Sequence, residues 1–167
     1  MSDWRYELAL KQELEIAEEV VTGWILEELD LFKTSLAVGK GPERQEANLA
    51  PHQLTQLVTV AEESESVPAV VNYLRYQIAR SEEGKGWQYA NVGTRIVAEL
   101  QGALRKEAEN AAQQAVAQVR GESVAATKEE QRQAWIELTR RFLAALRRCF
   151  VRRVSDLAYH EKEAGAL

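Results

Sequence analysis

Residues 127–150, TKEEQRQAWIELTRRFLAALRRCF, decide how this chain folds. The run opens with Thr127 and, three residues on, Glu130. In that pattern each side chain satisfies a backbone N–H of the other at the start of a helix. No Pro or Gly interrupts the run. Trp135, Leu138, Phe142, Leu146, Cys149 or Phe150, and beyond them Val154 and Leu157, recur at three- and four-residue steps. That spacing predicts one buried stripe along a helix reaching about Glu161. So long a helix with an apolar seam needs other helices to cover it, and the expected fold class is all-α, a helical bundle.

The rest of the chain supplies the partners. An acidic first helix is expected over 3–37, loosened at Thr22-Gly23, followed by a loop over 38–50 that contains Gly39, Gly41 and Pro42. A second helix is expected from Pro51 to Glu63. A third runs from Pro68 to about Glu82, with Ser66 at its cap and Gly84 and Gly86 beyond its end. A fourth is expected from about Gln88 to Val119, with an apolar seam of Val92, Ile96, Leu100, Ala103, Leu104 and Ala111 and with Gly102 at a close contact. Two-residue alternation and Asn-Gly or Asp-Gly turns are missing, which argues against strands. The expectation is about five helices, two of them long, in a single domain over 1–167 with its bundle core at 51–161.

Charge is distributed unevenly. The net charge is −5, yet residues 1–30 hold nine acids against Arg5 and Lys11, while residues 132–153 hold seven arginines against Glu137. A local basic stripe attracts polyanions whatever the total charge. Arg141, Arg148 and Arg152 are spaced seven and four apart and share a face; Arg140 and Arg147 form a parallel row. Such a row repels itself unless something neutralises it. Two neutralisers fit: the phosphates of a nucleic acid, or Glu13, Glu15, Glu18 and Glu19 of the first helix. Arg95, Arg105 and Lys106 extend the basic path onto the fourth helix.

The third helix carries an unusual second face. In Tyr73-Leu74-Arg75-Tyr76-Gln77-Ile78-Ala79-Arg80, the aliphatic residues Leu74 and Ile78 continue the core face of Val67, Val70 and Val71. Tyr73, Tyr76, Gln77 and Arg80 fall on a neighbouring arc. Aromatic rings beside a guanidinium can receive a base and a phosphate together. They can equally form an Arg–Tyr cluster at a protein interface. Trp87, between Gly86 and Gln88, has the same two readings: stacking on RNA or a neighbouring protein, or local packing.

The order of these segments resembles a known family. Leu49-Ala50-Pro51-His52-Gln53-Leu54 starts a helix, Tyr76-Gln77-Ile78-Ala79-Arg80 follows about twenty residues later, and the last helix reads RRFLAALRRCF. This is similar to the small helical subunit of type III CRISPR effector complexes, the Csm-type small subunit, over about Leu49 to Arg153. The resemblance implies a non-catalytic subunit, present in several copies beside other CRISPR effector subunits, that lines the groove where guide RNA pairs with target RNA. Taken together with the basic stripe, it leads to expected RNA contacts at Gln53, Tyr76, Arg80, Lys85, Arg95, Arg141, Arg148 and Arg152, and no cofactor or metal is expected.

Two alternatives stand beside it. Arg153 and His160 have the loose Arg…His spacing of helical ribonucleases of the HEPN type. A helical protein–protein adaptor without RNA binding is the other. Metal binding is not expected, since His52 and His160 lie far apart and no Glu-x-x-His or His-Glu-x-x-His occurs. No membrane is expected as a partner, because no apolar run approaches ~20 residues. The lone Cys149 and the acidic start lead to a cytoplasmic expectation.

Overall fold

The computed structural model describes the backbone of residues 3–36 and 49–165, and their side chains except 26–36, 153–162 and 164. The described residues form six α-helices and no strand: α1 (Trp4–Leu36), α2 (Pro51–Glu63), α3 (Val67–Arg80), α4 (Val92–Gln101), α5 (Ala103–Arg120) and α6 (Lys128–Gly165), with a 3-10 turn at Gly86–Asn91. The protein is all-α, as the apolar periodicities require. None of these helices is long and apolar enough to cross a membrane. The expected loop over 38–50 falls, up to residue 48, outside the described residues.

The capping pattern that opens the sixth helix is present. The Glu130 N–H donates to the Thr127 hydroxyl at 3.2 Å, and the Thr127 N–H donates to the Glu130 carboxylate at 2.9 Å. The buried surface of α6 is wider than one stripe. Leu138, Phe142, Leu146 and Phe150 are buried as expected, and so are Ala134, Ile136, Thr139, Leu143 and Ala145. Trp135 and Cys149 are only partly buried, and the Val154 and Leu157 side chains lie outside the described ones. The width has a simple cause: α6 packs on α1 and α5 and also on α2. A helix covered from more than one side buries more than a seam.

The long fourth helix of the sequence reading is two helices with a turn in front. Residues 86–91 form the 3-10 turn, in which Ala90 and Asn91 both have positive φ, 50° and 56°. Left-handed backbone costs a non-glycine residue roughly 1–2 kcal/mol. The turn buries Trp87 to 2% exposure, so local packing, not stacking on a partner, claims that ring. α4 then breaks at Gly102, where a Cβ would lie 2.9 Å from the Ala98 carbonyl oxygen. The break falls beside Leu100, whose carbonyl accepts a hydrogen bond from the Trp135 indole at 2.8 Å. Last-turn carbonyls of a helix lack intrahelical donors, and this one borrows its donor from α6. At Gly93 a Cβ would sit 2.5 Å from Ile78 Cγ1, so α3 and α4 meet there with no room for a side chain.

α1 is continuous through Thr22-Gly23 rather than loosened there; the Thr22 hydroxyl donates to the Glu18 carbonyl at 2.7 Å. Its buried side, Tyr6, Leu10, Leu14, Ala17, Val21 and Ile25, belongs to the common core. Against it α5 offers mainly small residues, Ala108, Ala111, Ala112, Ala115 and Val116. Small side chains let helix backbones approach closely, so dispersion contacts are dense there.

One end of this contact is pinned by charge. Arg120 of α5 donates to Glu130 of α6 at 2.6 Å, lies 3.5 Å from Asp3, and sits 5.2 Å above the Tyr6 ring. The Tyr6 hydroxyl is buried and has no hydrogen-bond partner among the described residues. Burial first, and then the Glu130 carboxylate, push its pKa from 10.0 up to about 12, against the opposing pull of Arg120. The folded state therefore holds this proton more tightly than the unfolded chain. Stability is therefore unaffected by this titration below about pH 10 and falls as pH rises towards 12. Chemical denaturation across this range should show that loss in the wild type. Tyr6→Phe should flatten it without lowering stability at neutral pH.

Candidate nucleic-acid interface

The arginines of α6 divide according to what surrounds them. Arg140 and Arg141 lie where neighbouring helices cover α6, and both turn inward. Arg140 donates to the carbonyls of Ala61 at 2.9 Å and Ser64 at 2.8 Å, and to Glu137 at 2.6 Å. It thereby satisfies carbonyls at the end of α2, which a helix C-terminus leaves without donors. Arg141 forms an ion pair with Glu18 of α1 at 3.0 Å. One turn or more further on, Arg147, Arg148 and Arg152 are exposed, and among the described residues they meet no carboxylate. The row expected to act as one basic face is thus partly internal. Glu18 is one of the four acids expected as internal neutralisers; Glu13 instead accepts from Gln118, on α5.

The second face of α3 is also narrower than expected. Val67, Val70, Val71 and Leu74 are buried, and Ile78 is partly so. Tyr73 joins them against the core, which leaves Tyr76 and Arg80 as the outward pair. Tyr76 is 57% exposed, with the Arg80 guanidinium 5.5 Å from its ring centroid. That cation–π contact holds a flat ring and a positive charge side by side at the surface. Arg75, on the same helix, donates to Gln101 at 3.3 Å.

The remaining expected contacts scatter. The side-chain oxygen of Gln53 accepts from the Ala50 N–H at 2.9 Å, so this residue caps α2. Lys85 is exposed and pairs with Glu82 at 2.8 Å, which holds the Glu82 carboxyl below its usual range. Arg95 is exposed on α4 and borders a small apolar cavity with Trp24, Ile25, Ile96, Glu99, Phe142 and Leu146. Arg105 lies 5.0 Å over the Trp135 ring and pairs with Glu109 at 3.0 Å. His160 and the Arg153 side chain, the pair that suggested a nuclease, fall outside the described side chains. Among the described residues no group of three or more His, Cys, Asp or Glu is placed to hold a metal ion.

What the sequence reading missed is the capping by Arg140. Its signal was present: Glu137 lies three residues earlier on the same helix, an ordinary spacing for an ion pair. No spacing rule, however, places the end of α2 beside residue 140. The chain matches no protein-family model, no curated protein and no solved structure in the comparisons made. Its class therefore rests on fold and surface: an all-α bundle with one cationic surface on α6 and an Arg–Tyr pair on α3.

Inward and outward arginines should behave differently when neutralised. Arg140→Met should cost roughly 1–3 kcal/mol of stability, because it strips donors from partly buried carbonyls. Arg148→Met should stay within about 0.5 kcal/mol. Urea denaturation midpoints of the two variants check this, with equal midpoints as the contrary result.

Proposed function

We propose that this chain is a non-catalytic small subunit of a type III CRISPR RNA-guided effector complex, bordering the guide RNA–target RNA duplex through contacts to its backbone. The observation that carries the reading is the exposed Tyr76–Arg80 pair. Within the segment that resembles the family, this pair sets a guanidinium against an aromatic ring in solvent, as Arg5 does over Trp4 on α1. Arg148 and Arg152 add charge without a described internal partner; Lys85, paired with Glu82 on its own surface turn, and Arg95 are both exposed and complete the set. Gln53 and Arg141 are left out of it, because both are engaged within the chain. Contacts of this kind position a helix on a phosphate backbone and carry no sequence information, which suits a subunit that must accept any guide. Other effector subunits and further copies of the chain are the partners that the reading entails, and the cytoplasm its compartment.

A protein–protein adaptor without RNA binding is the second reading. It is favoured by the Arg141–Glu18 pair, which neutralises part of the basic helix internally, and by the apolar side chains that α1 exposes.

Fluorescence anisotropy with a single-stranded RNA and with an RNA duplex, over a range of salt concentrations, separates the two. The proposed function predicts salt-dependent binding. For the single strand, Arg80→Ala combined with Arg148→Ala should flatten the log–log slope by roughly 0.7 per phosphate contact removed. An unchanged slope would overturn the site assignment, and no binding at moderate salt would favour the adaptor.

A further inference from the structure

The chain holds 26 acidic residues, yet α3, VPAVVNYLRYQIAR, holds none; its only charges are Arg75 and Arg80. The first acid beyond its end, Glu82, is held by Lys85 at 2.8 Å. Both arginines are exposed. At about 100° per residue they stand roughly 140° apart around the helix, and Asn72, Tyr76 and Ala79 fall on the arc between them. Those three are exposed as well, while the valines and Leu74 are buried on the other side. The outer face of α3 is thus a strip of short side chains, edged by two guanidiniums, with one aromatic ring standing on it.

What holds Arg75 sets it apart. Arg105, Arg120, Arg132, Arg140 and Arg141 each sit on a carboxylate of this chain. A phosphate that approached one of them would have to displace that partner. Arg75 instead donates to the side-chain oxygen of Gln101, the last residue of α4, at 3.3 Å. Gln101 is itself exposed. An amide accepts a hydrogen bond without cancelling the charge of its donor. The contact engages one N–H and leaves the rest of the guanidinium fork open, in a shape that matches phosphate oxygens. Gln101 therefore steadies a long side chain across the gap between α3 and α4 and keeps it fully cationic. Less rotamer freedom is then lost when an anion binds.

We infer that Arg75, positioned by Gln101, is a further phosphate contact, so that the outer face of α3 from Arg75 past Tyr76 to Arg80 is one strip for an RNA backbone. The inference rests on the proposed function and adds to it a residue that neither the basic stripe nor the family resemblance singles out. It also gives the strip its rule of selection: an arginine held by an amide or a ring meets RNA, and an arginine held by a carboxylate does not.

Binding of a single-stranded RNA to the full chain, followed against salt concentration, tests it. Arg75→Ala should flatten the log–log slope by roughly 0.7, the share of one phosphate contact, and Arg75→Lys should retain the wild-type slope. Gln101→Glu places a carboxylate where the amide stood and should flatten the slope as Arg75→Ala does. Arg132→Ala is the control: it removes an equally exposed charge that Glu129 already holds at 2.7 Å, and the slope should stay as it was. All of these positions are exposed, so circular dichroism should report unaltered folding. An unchanged slope in Arg75→Ala, or an equal loss in Arg132→Ala, would overturn the inference while wild-type binding leaves the proposed function standing. A wild type that binds no RNA would overturn both.

Discussion

Arg140 ties together two parts of the chain that lie far apart in sequence. From the side of α6 its guanidinium reaches the carbonyls of Ala61 and Ser64, where α2 ends. A helix terminus packed against another helix must find donors for its last carbonyls, or else expose them to water and give up the packing. One arginine supplies two of these donors and keeps a carboxylate, Glu137, beside its charge. The contact fixes where α2 stops along α6, and α2 leads directly into α3. The outward pair Tyr76–Arg80 is thereby placed by an arginine that itself takes no part in the surface.

The same helix explains how an acidic protein keeps a cationic surface. Where α1, α2 and α5 cover α6, charge is settled internally, through Arg140 to carbonyls and Arg141 to Glu18. At Arg147, Arg148 and Arg152 the side chains are exposed. A charge in water is screened over about 10 Å at 0.1 M salt, so the field of these arginines is local and positive despite the net charge of −5. Acidity is concentrated instead on α1, which also exposes Trp4, Leu8, Ile16 and Val20.

Much of the fold was legible because it follows from local chemistry. The apolar steps of Leu138, Phe142 and Leu146, the Thr127–Glu130 cap, and Pro51 at the first position of its helix each act within one or two turns. Helix α2 begins and ends where the residues said it would. The break at Gly102 and the 3-10 turn at Trp87 were not legible, because burial of one indole and the approach of Gly93 to Ile78 decide them. Those are contacts between segments, and periodicity does not carry them. The candidate site divides in the same way. Tyr76 and Arg80 share a helix face, so four-residue spacing alone brings them together. Gln53 and Arg141 were chosen by motif and by stripe, and each is taken up by a neighbour that the sequence does not rank. Tyr73 lies three residues from Tyr76, close enough in angle to share its arc on paper, yet the core claims it.

The central claim is that inner arginines, Arg140 and Arg141, hold the bundle, while the outer ones proposed to meet a polyanion, Arg148 and Arg152 of α6 and Arg80 of α3, stand apart from it. Side-chain NMR of the arginine Nε–Hε groups during titration with a short single-stranded RNA tests it most directly. The account predicts that the signals of Arg80, Arg148 and Arg152 move with added RNA while those of Arg140 and Arg141 stay in place. Uniform movement of all five, or movement of Arg140 and Arg141 alone, would contradict it.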